Sequence, residues 1–268
     1  MSQKVAHSRI DAKLAEIATR KQVKLGYNRD LPDQRDRPYP SHKPLTYQQV
    51  VDLSPNIPAP YDQGELGSCT ANAISGGLQY VQGIQQEAAV MPSRLFIYYN
   101  ERSMEGSVGS DSGAQIRDGI KSVAKIGYCS EDTWPYDITQ FTEQPPEQAY
   151  IEAEKHQVLS YYRVTNREQS LLHCLASNFP IVFGIAVYES FMNAPNGDVA
   201  MPQPDEKLLG GHALLCVGYN LGTRRFKFRN SWGTSWGDGT GHGTIPFEYL
   251  ESPLLGGDYW TLRKEEIP

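Results

Sequence analysis

From residue 69 onward the apolar positions settle into a helical repeat. In CTANAISGGLQYVQ (69–82), Ala71, Ile74, Leu78 and Val81 fall on one face, and Ser68 just before them is a good N-cap residue. The interior pair Gly76–Gly77 disfavours a helix by about 1 kcal/mol each relative to alanine, which is tolerated most easily where another backbone packs closely. Ile116, Ile120, Val123 and Ile126 repeat at intervals of three to four and predict a helix over 114–126, stopped by Gly127. Ile10, Leu14 and Ile17 predict a shorter amphipathic helix over 8–21. After about residue 157 the period shortens. QVLSYYRV, IVFGIAVY, HALLCVGYN and RRFKFRNS read as strands separated by turn residues, with LLHCLASN (171–178) as a helix between the first two. A mainly helical half followed by a mainly β half is the α+β pattern.

Proline and charge break the pattern elsewhere. GYNRDLPDQRDRPYPSHKPL (26–45) cannot hold a regular element for long, so residues 1–50 are expected to form an extended arm or short pro-segment outside the main core. Residues 51–268 then form one unit, with a helical lobe over roughly 62–150 and a β lobe over roughly 157–268. No repeat period or low-complexity tract interrupts it.

Composition narrows the class. With 39% apolar and 21% charged residues the 268-residue chain reads as globular and not disordered. A net charge of −6, with basic residues scattered, argues against nucleic-acid binding. The longest apolar runs fall well short of the roughly 20 residues that span a bilayer. The first 22 residues lack the continuous hydrophobic region of a secretory signal, so a cytoplasmic location is expected, with secretion by another route or a truncated start as the alternatives; a monomer is expected as well. Four widely spaced cysteines without a CxxC pair exclude a dense disulfide framework and argue against a metal site, and a Cys129–Cys174 bridge stays open.

Among those cysteines, Cys69 opens a helix, where unpaired N–H groups and the helix dipole favour a thiolate. Cys174 and Cys216 lie in apolar segments and Cys129 in a loop; buried cysteines usually behave as small hydrophobes. His173 and Cys174 are adjacent on a helix and point about 100° apart, so they do not pair. His212 begins an apolar strand directly after Gly210–Gly211. Taken alone it fits a bonded strand-end histidine as well as a catalytic one. The glycine-rich segment GTSWGDGTGHGT (233–244) lacks the Gly-Lys-Ser/Thr ending of a phosphate loop and reads as tight turns.

Four blocks resemble the papain-like (C1-type) cysteine peptidases, in a bacterial branch of that family. QGELGSC (63–69) resembles the nucleophile block, GHALLCVGY (211–219) the histidine block, RNSWGTSWGDGTGHGTIP (229–246) the asparagine block, and GYCSEDTWPYD (127–137) the stretch ending in a Pro-Tyr turn. His212 and Asn230 lie roughly 140 and 160 residues beyond Cys69, the order and spacing of that family. The resemblance covers about residues 51–268. It implies a papain-like two-lobed fold, a helical lobe and an antiparallel β-barrel-like lobe with the active-site cleft between them.

The resemblance further implies Cys69 as nucleophile, His212 as acid and base, Asn230 as the group orienting the imidazole, and Gln63 as an oxyanion donor with the Cys69 backbone N–H. Gly113 would pair with extended substrate backbone, Trp232 would shield the Asn230–His212 bond, and Trp236 would be structural. Peptides or proteins are the implied substrates, with no cofactor. Leu66 and Thr70 stand where many relatives carry cysteine and tryptophan, which excludes that family disulfide and puts the packing beside Cys69 in doubt. The short arm is expected to act as an intramolecular inhibitor of an endopeptidase. The alternatives are a catalytically silent binding module and an acyl transferase using the same Cys-His pair.

Overall fold

Helix α1 (Cys69–Gln85) is buried nearly all round, not on one face: Thr70, Asn72, Ser75 and Gln82 are buried along with Ile74, Leu78 and Val81. The cause is tertiary, because one side lies on the sheet and the other on two further helices, α2 (Arg94–Glu105) and α3 (Ile116–Lys125). Against fully buried Leu78, truncation to alanine should cost about 2–5 kcal/mol. Gly76 and Gly77 are met not by a neighbouring backbone but by side chains, Arg229 and Leu215 at the first and Leu262 and Leu215 at the second. Ser68 occupies the N-cap position without capping through its side chain, whose hydroxyl instead meets the Tyr136 hydroxyl at 2.5 Å and Asn72 Nδ2 at 3.0 Å.

The structure is a computed structural model that describes residues 23–40, 46–86 and 90–265. The helix expected over 8–21 lies outside the described residues. Residues 94–105, unassigned by periodicity, form α2 because Ser93 Oγ accepts from the Phe96 N–H and Gly106 closes the far end in the left-handed region. α3 begins two residues later than its periodicity suggests, since Ala114–Gln115 is taken up as strand.

The strands are β1 (Tyr27–Asn28), β2 (Val50–Asp52), β3 (Ala114–Gln115), β4 (Val158–Arg163), β5 (Ile181–Tyr188), β6 (Leu208–Asn220), β7 (Arg225–Arg229), β8 (His242–Pro246) and β9 (Gly256–Glu265). The main antiparallel sheet runs β4-β9-β5-β6-β7-β8, with β2 added to the far end of β6. Among the described residues its two ends do not pair, so the sheet is open and not a closed barrel. The fold is α+β and papain-like, with helices against an antiparallel sheet. β6 is its long central strand: β5 lies on one side with Ile185 opposite His212, and β7 on the other with Arg229 opposite Leu215. Two residues before position 50, Tyr27 and Tyr39, are buried with the core. Among the described residues no helix is long and apolar enough to cross a membrane, and no group of three or more potential ligands is arranged to hold a metal.

Candidate active site

Cys69 is the first residue of α1 and is fully buried. Its thiol lies by the backbone N–H groups of Ala213, Gly26 and Thr70, so the strand position after His212 abuts the helix start. His212 Nε2 lies 2.8 Å from Asn230 Oδ1, the residue just after β7. The same Oδ1 accepts from the Ser231 backbone N–H at 2.8 Å. An amide N–H can only donate, which fixes the Asn230 orientation, and Nε2 must then carry the proton. Nδ1 is left as the basic nitrogen of a neutral imidazole and has no hydrogen-bond partner among the described residues. Trp232 stacks on the imidazole, with centroids 4.7 Å apart and planes 24° apart, and Trp236 meets Trp232 edge-on at 5.6 Å. Phe191 packs against both His212 and Trp232.

Burial dominates the electrostatics. It pushes the Cys69 thiol up to about 12 against the pull of those backbone N–H groups, and it takes His212 down to about 4 although Asn230 works the other way. A helix N-terminus is worth at most about 2 kcal/mol to an anion. Complete desolvation outweighs it here, and the thiol and imidazole are held neutral.

Gln63 is fully buried and fixed at three points. Its backbone N–H donates to the Ser231 carbonyl at 2.8 Å, its Oε1 accepts from Ser231 Oγ at 2.6 Å, and its Nε2 donates to the Leu66 carbonyl at 2.9 Å. Nε2 also donates to the Lys24 carbonyl at 3.0 Å.

Lys24 belongs to the segment that buries the site. Gly26 lies by the Cys69 thiol and Tyr27 packs against Gly211, the residue before His212, while β1 pairs parallel to β3, with Tyr27 opposite Ala114. The Ala114 N–H donates to the Gly26 carbonyl at 2.8 Å. Gly113 adopts φ +71°, and a Cβ there would come 2.1 Å from that same carbonyl, so a side chain would expel the segment. Lys24 Nζ pairs with Asp111 at 2.6 Å, a half-exposed contact worth at most about 1 kcal/mol. The firmer anchors lie further along the arm. Half-buried Asp36, its side chain 8% exposed, bridges Arg117 at 2.6 Å and Arg163 at 2.7 Å, while Asp30 accepts from the Trp260 indole and the Arg117 backbone N–H.

Of the residues singled out from sequence, Cys69, His212, Asn230, Gln63, Gly113 and Trp232 converge on this region. Trp236 supports Trp232 from behind, and His173 bonds Tyr39 at 2.7 Å, with Nδ1 engaged. All four cysteines are free thiols, so Cys129 and Cys174 are not bridged. At the position where many relatives carry tryptophan, Thr70 donates to buried Glu101 at 2.7 Å, and burial raises the Glu101 carboxyl well above its usual range. Lys24, Tyr27 and Asp258 escaped sequence reasoning. They sit in irregular or strand-end positions, and no periodicity marks them.

Residues 49–247 match the model of the papain family of cysteine proteases. A peptidase C1-like protein of Acanthamoeba polyphaga mimivirus is 38% identical over 274 residues, covering 91% of this chain and 88% of that protein. The crystal structure of xylellain, a cysteine protease from Xylella fastidiosa, is similar at a TM-score of 0.84 and 38% identity, covering 91% of this chain and 97% of that one. A digestive procathepsin L of Tenebrio molitor shares the fold at a TM-score of 0.69 and 20% identity, over 94% of this chain and 79% of that one.

Proposed function

The chain belongs to the papain family of cysteine proteases and is a cysteine peptidase; from that premise we propose that it cleaves peptide bonds with Cys69 as nucleophile and is restrained by its own residues 24–40. In this scheme His212 Nδ1 accepts the Cys69 proton as the sulfur bonds to the substrate carbonyl carbon. The negative charge that develops on the carbonyl oxygen is met by Gln63 Nε2 and the Cys69 backbone N–H, each such donor contributing about 3–4 kcal/mol in the transition state. Collapse breaks the C–N bond, the amine leaves with the proton from Nδ1, and a thioester remains. Water, deprotonated by the same Nδ1, then releases the acid and restores the thiol. Asn230 holds Nε2–H so that Nδ1 faces this chemistry, and Trp232 keeps that bond dry.

The observation that carries this is the Gln63–Lys24 contact: a peptide carbonyl of the arm lies on the side-chain donor of Gln63. The arm also supplies a reason for restraint, since it covers both groups and favours their neutral forms. Intact-mass labelling with a peptidyl epoxide tests the chemistry. One equivalent on wild type and none on Cys69→Ala is expected; a Cys69→Ala chain that remained labelled or active would sink it. For the arm, Tyr27→Ala should hydrolyse a small peptide faster than wild type. Equal rates at equal stability would leave the arm passive.

A further inference from the structure

We propose that Asp258, at the far end of the slot occupied by Tyr27, makes this slot prefer a tyrosine side chain of the substrate. This rests on the peptidase function proposed above. Three neighbouring strands each present a glycine to the Tyr27 side chain or its backbone. A Cβ at Gly184 of β5 would come 2.0 Å from Tyr27 Cζ, one at Gly211 of β6 would come 2.9 Å from Cδ1 and 2.2 Å from the Tyr27 carbonyl, and one at Gly257 of β9 would touch the hydroxyl at 3.6 Å. Gly184 pairs across the sheet with both Ala213 and Gly257, so the slot reaches the residue whose N–H lies by the Cys69 thiol. None of the three has positive φ. Their backbone conformations do not call for glycine, and space for a large planar side chain does.

The end of the slot is polar. Asp258 Oδ2 accepts from the Tyr27 hydroxyl at 2.6 Å and from the Asp30 N–H at 2.7 Å, and Oδ1 accepts from Arg163 at 2.8 Å. Tyr27 and Asp30 leave together when the arm lifts, so a nearly buried carboxylate oxygen loses both donors while Arg163 still neutralises its charge. A tyrosine side chain restores one donor. Phenylalanine fills the same volume but leaves the oxygen unmet, and a lysine or arginine finds a carboxylate already paired. Rejection of a side chain that lacks a needed donor is stronger than any discrimination by size alone.

The test uses the full chain, as wild type and as Tyr27→Ala, which empties the slot. Fluorogenic peptides carry tyrosine, phenylalanine, leucine or lysine at each position flanking the scissile bond. The expected result is a kcat/KM on the order of ten-fold higher for tyrosine than phenylalanine at one position, the size of one hydrogen bond to a charged acceptor. The fraction of arm lifted scales both substrates alike and drops out of that ratio. Asp258→Asn, which keeps a residue suited to φ +53°, should shrink the ratio several-fold, and Gly184→Ala should shift preference to leucine. Equal rates for tyrosine and phenylalanine at every position, with hydrolysis still lost in Cys69→Ala, would overturn the pocket assignment alone. No Cys69-dependent hydrolysis of any peptide would overturn the peptidase mechanism and this assignment with it.

Discussion

The Lys24 carbonyl oxygen sits 3.0 Å from Gln63 Nε2, so the arm places its own peptide group on the donor that the proposed mechanism assigns to the substrate carbonyl. In the proposed scheme, binding of substrate and attachment of the arm compete for one hydrogen bond, and each anchor of the arm becomes a control on activity.

Asp36 is the strongest such anchor. Its carboxylate joins Arg117, whose side chain is 5% exposed, to Arg163. Removing one partner of a buried pair costs about 3–5 kcal/mol. The lower end applies, because Arg163 is partly exposed and Arg117 keeps its bond to the Leu31 carbonyl. Asp36→Ala should lower the thermal midpoint and raise hydrolysis of a small peptide at least ten-fold, both measured on the same preparation. A less stable chain with unchanged turnover would separate the anchor from restraint.

Gln63→Ala should lower kcat on the order of a hundred- to a thousand-fold, the usual loss for one oxyanion donor. The comparison is best made in a Tyr27→Ala background, where weaker arm attachment cannot mask the loss. A decrease confined to KM would argue that Gln63 serves binding only.

Asp30 makes arm attachment depend on pH. Desolvation first, and the nearby Asp258 charge second, raise its carboxyl to about 6. A released, solvated Asp30 titrates near 4. Because the attached state has the higher pKa, its contribution is fully present below pH 4 and is lost as pH rises through about 6. Asp30→Asn imitates the protonated form. Its thermal midpoint relative to wild type should therefore climb between pH 4 and pH 7.5, and a flat difference over that range would remove Asp30 as the cause.

Cys69 should report arm position through its reactivity. With the arm attached, burial holds the thiol near 12 and His212 near 4, so the thiolate is scarce at neutral pH. Raised thiol pKa favours attachment at low pH and disfavours it as pH rises through the open-state thiol pKa; depressed imidazole pKa works against attachment once pH falls through the open-state value. Alkylation of wild type by iodoacetamide should rise steeply across pH 6–9. Tyr27→Ala should already be near a plateau there, and parallel profiles would show that the arm does not govern the thiol.

The elements with strong local signals were legible without coordinates. Ile181–Tyr188 is a β-branched and aromatic run interrupted by Gly184 and Ala186 and forms a strand of those bounds, and the 3–4 repeat through Ile116 and Val123 forms α3. Residues 94–105 were not legible, because their apolar stretch LFIYY fits strand or helix equally well and the deciding Ser93 cap acts through one hydrogen bond. The burial of α1 on all sides was equally hidden, since Thr70 and Asn72 read as a solvated face until α2 supplies Glu101 and Arg94 as their partners.

By itself the sequence determined the family and the residues to watch, because Gln63, Cys69, His212 and Asn230 stand in short blocks whose order and spacing survive without knowledge of packing. Only the tertiary structure decided the state of that site. Three glycines from three strands, a carboxylate at a strand end and a tyrosine from a proline-broken arm meet through contacts between residues up to 231 positions apart. No local pattern encodes such a meeting, since each partner's conformation is fixed by a different element. The same long-range closure removes water from Cys69 and His212, and desolvation, which no sequence window can report, is what sets their charge.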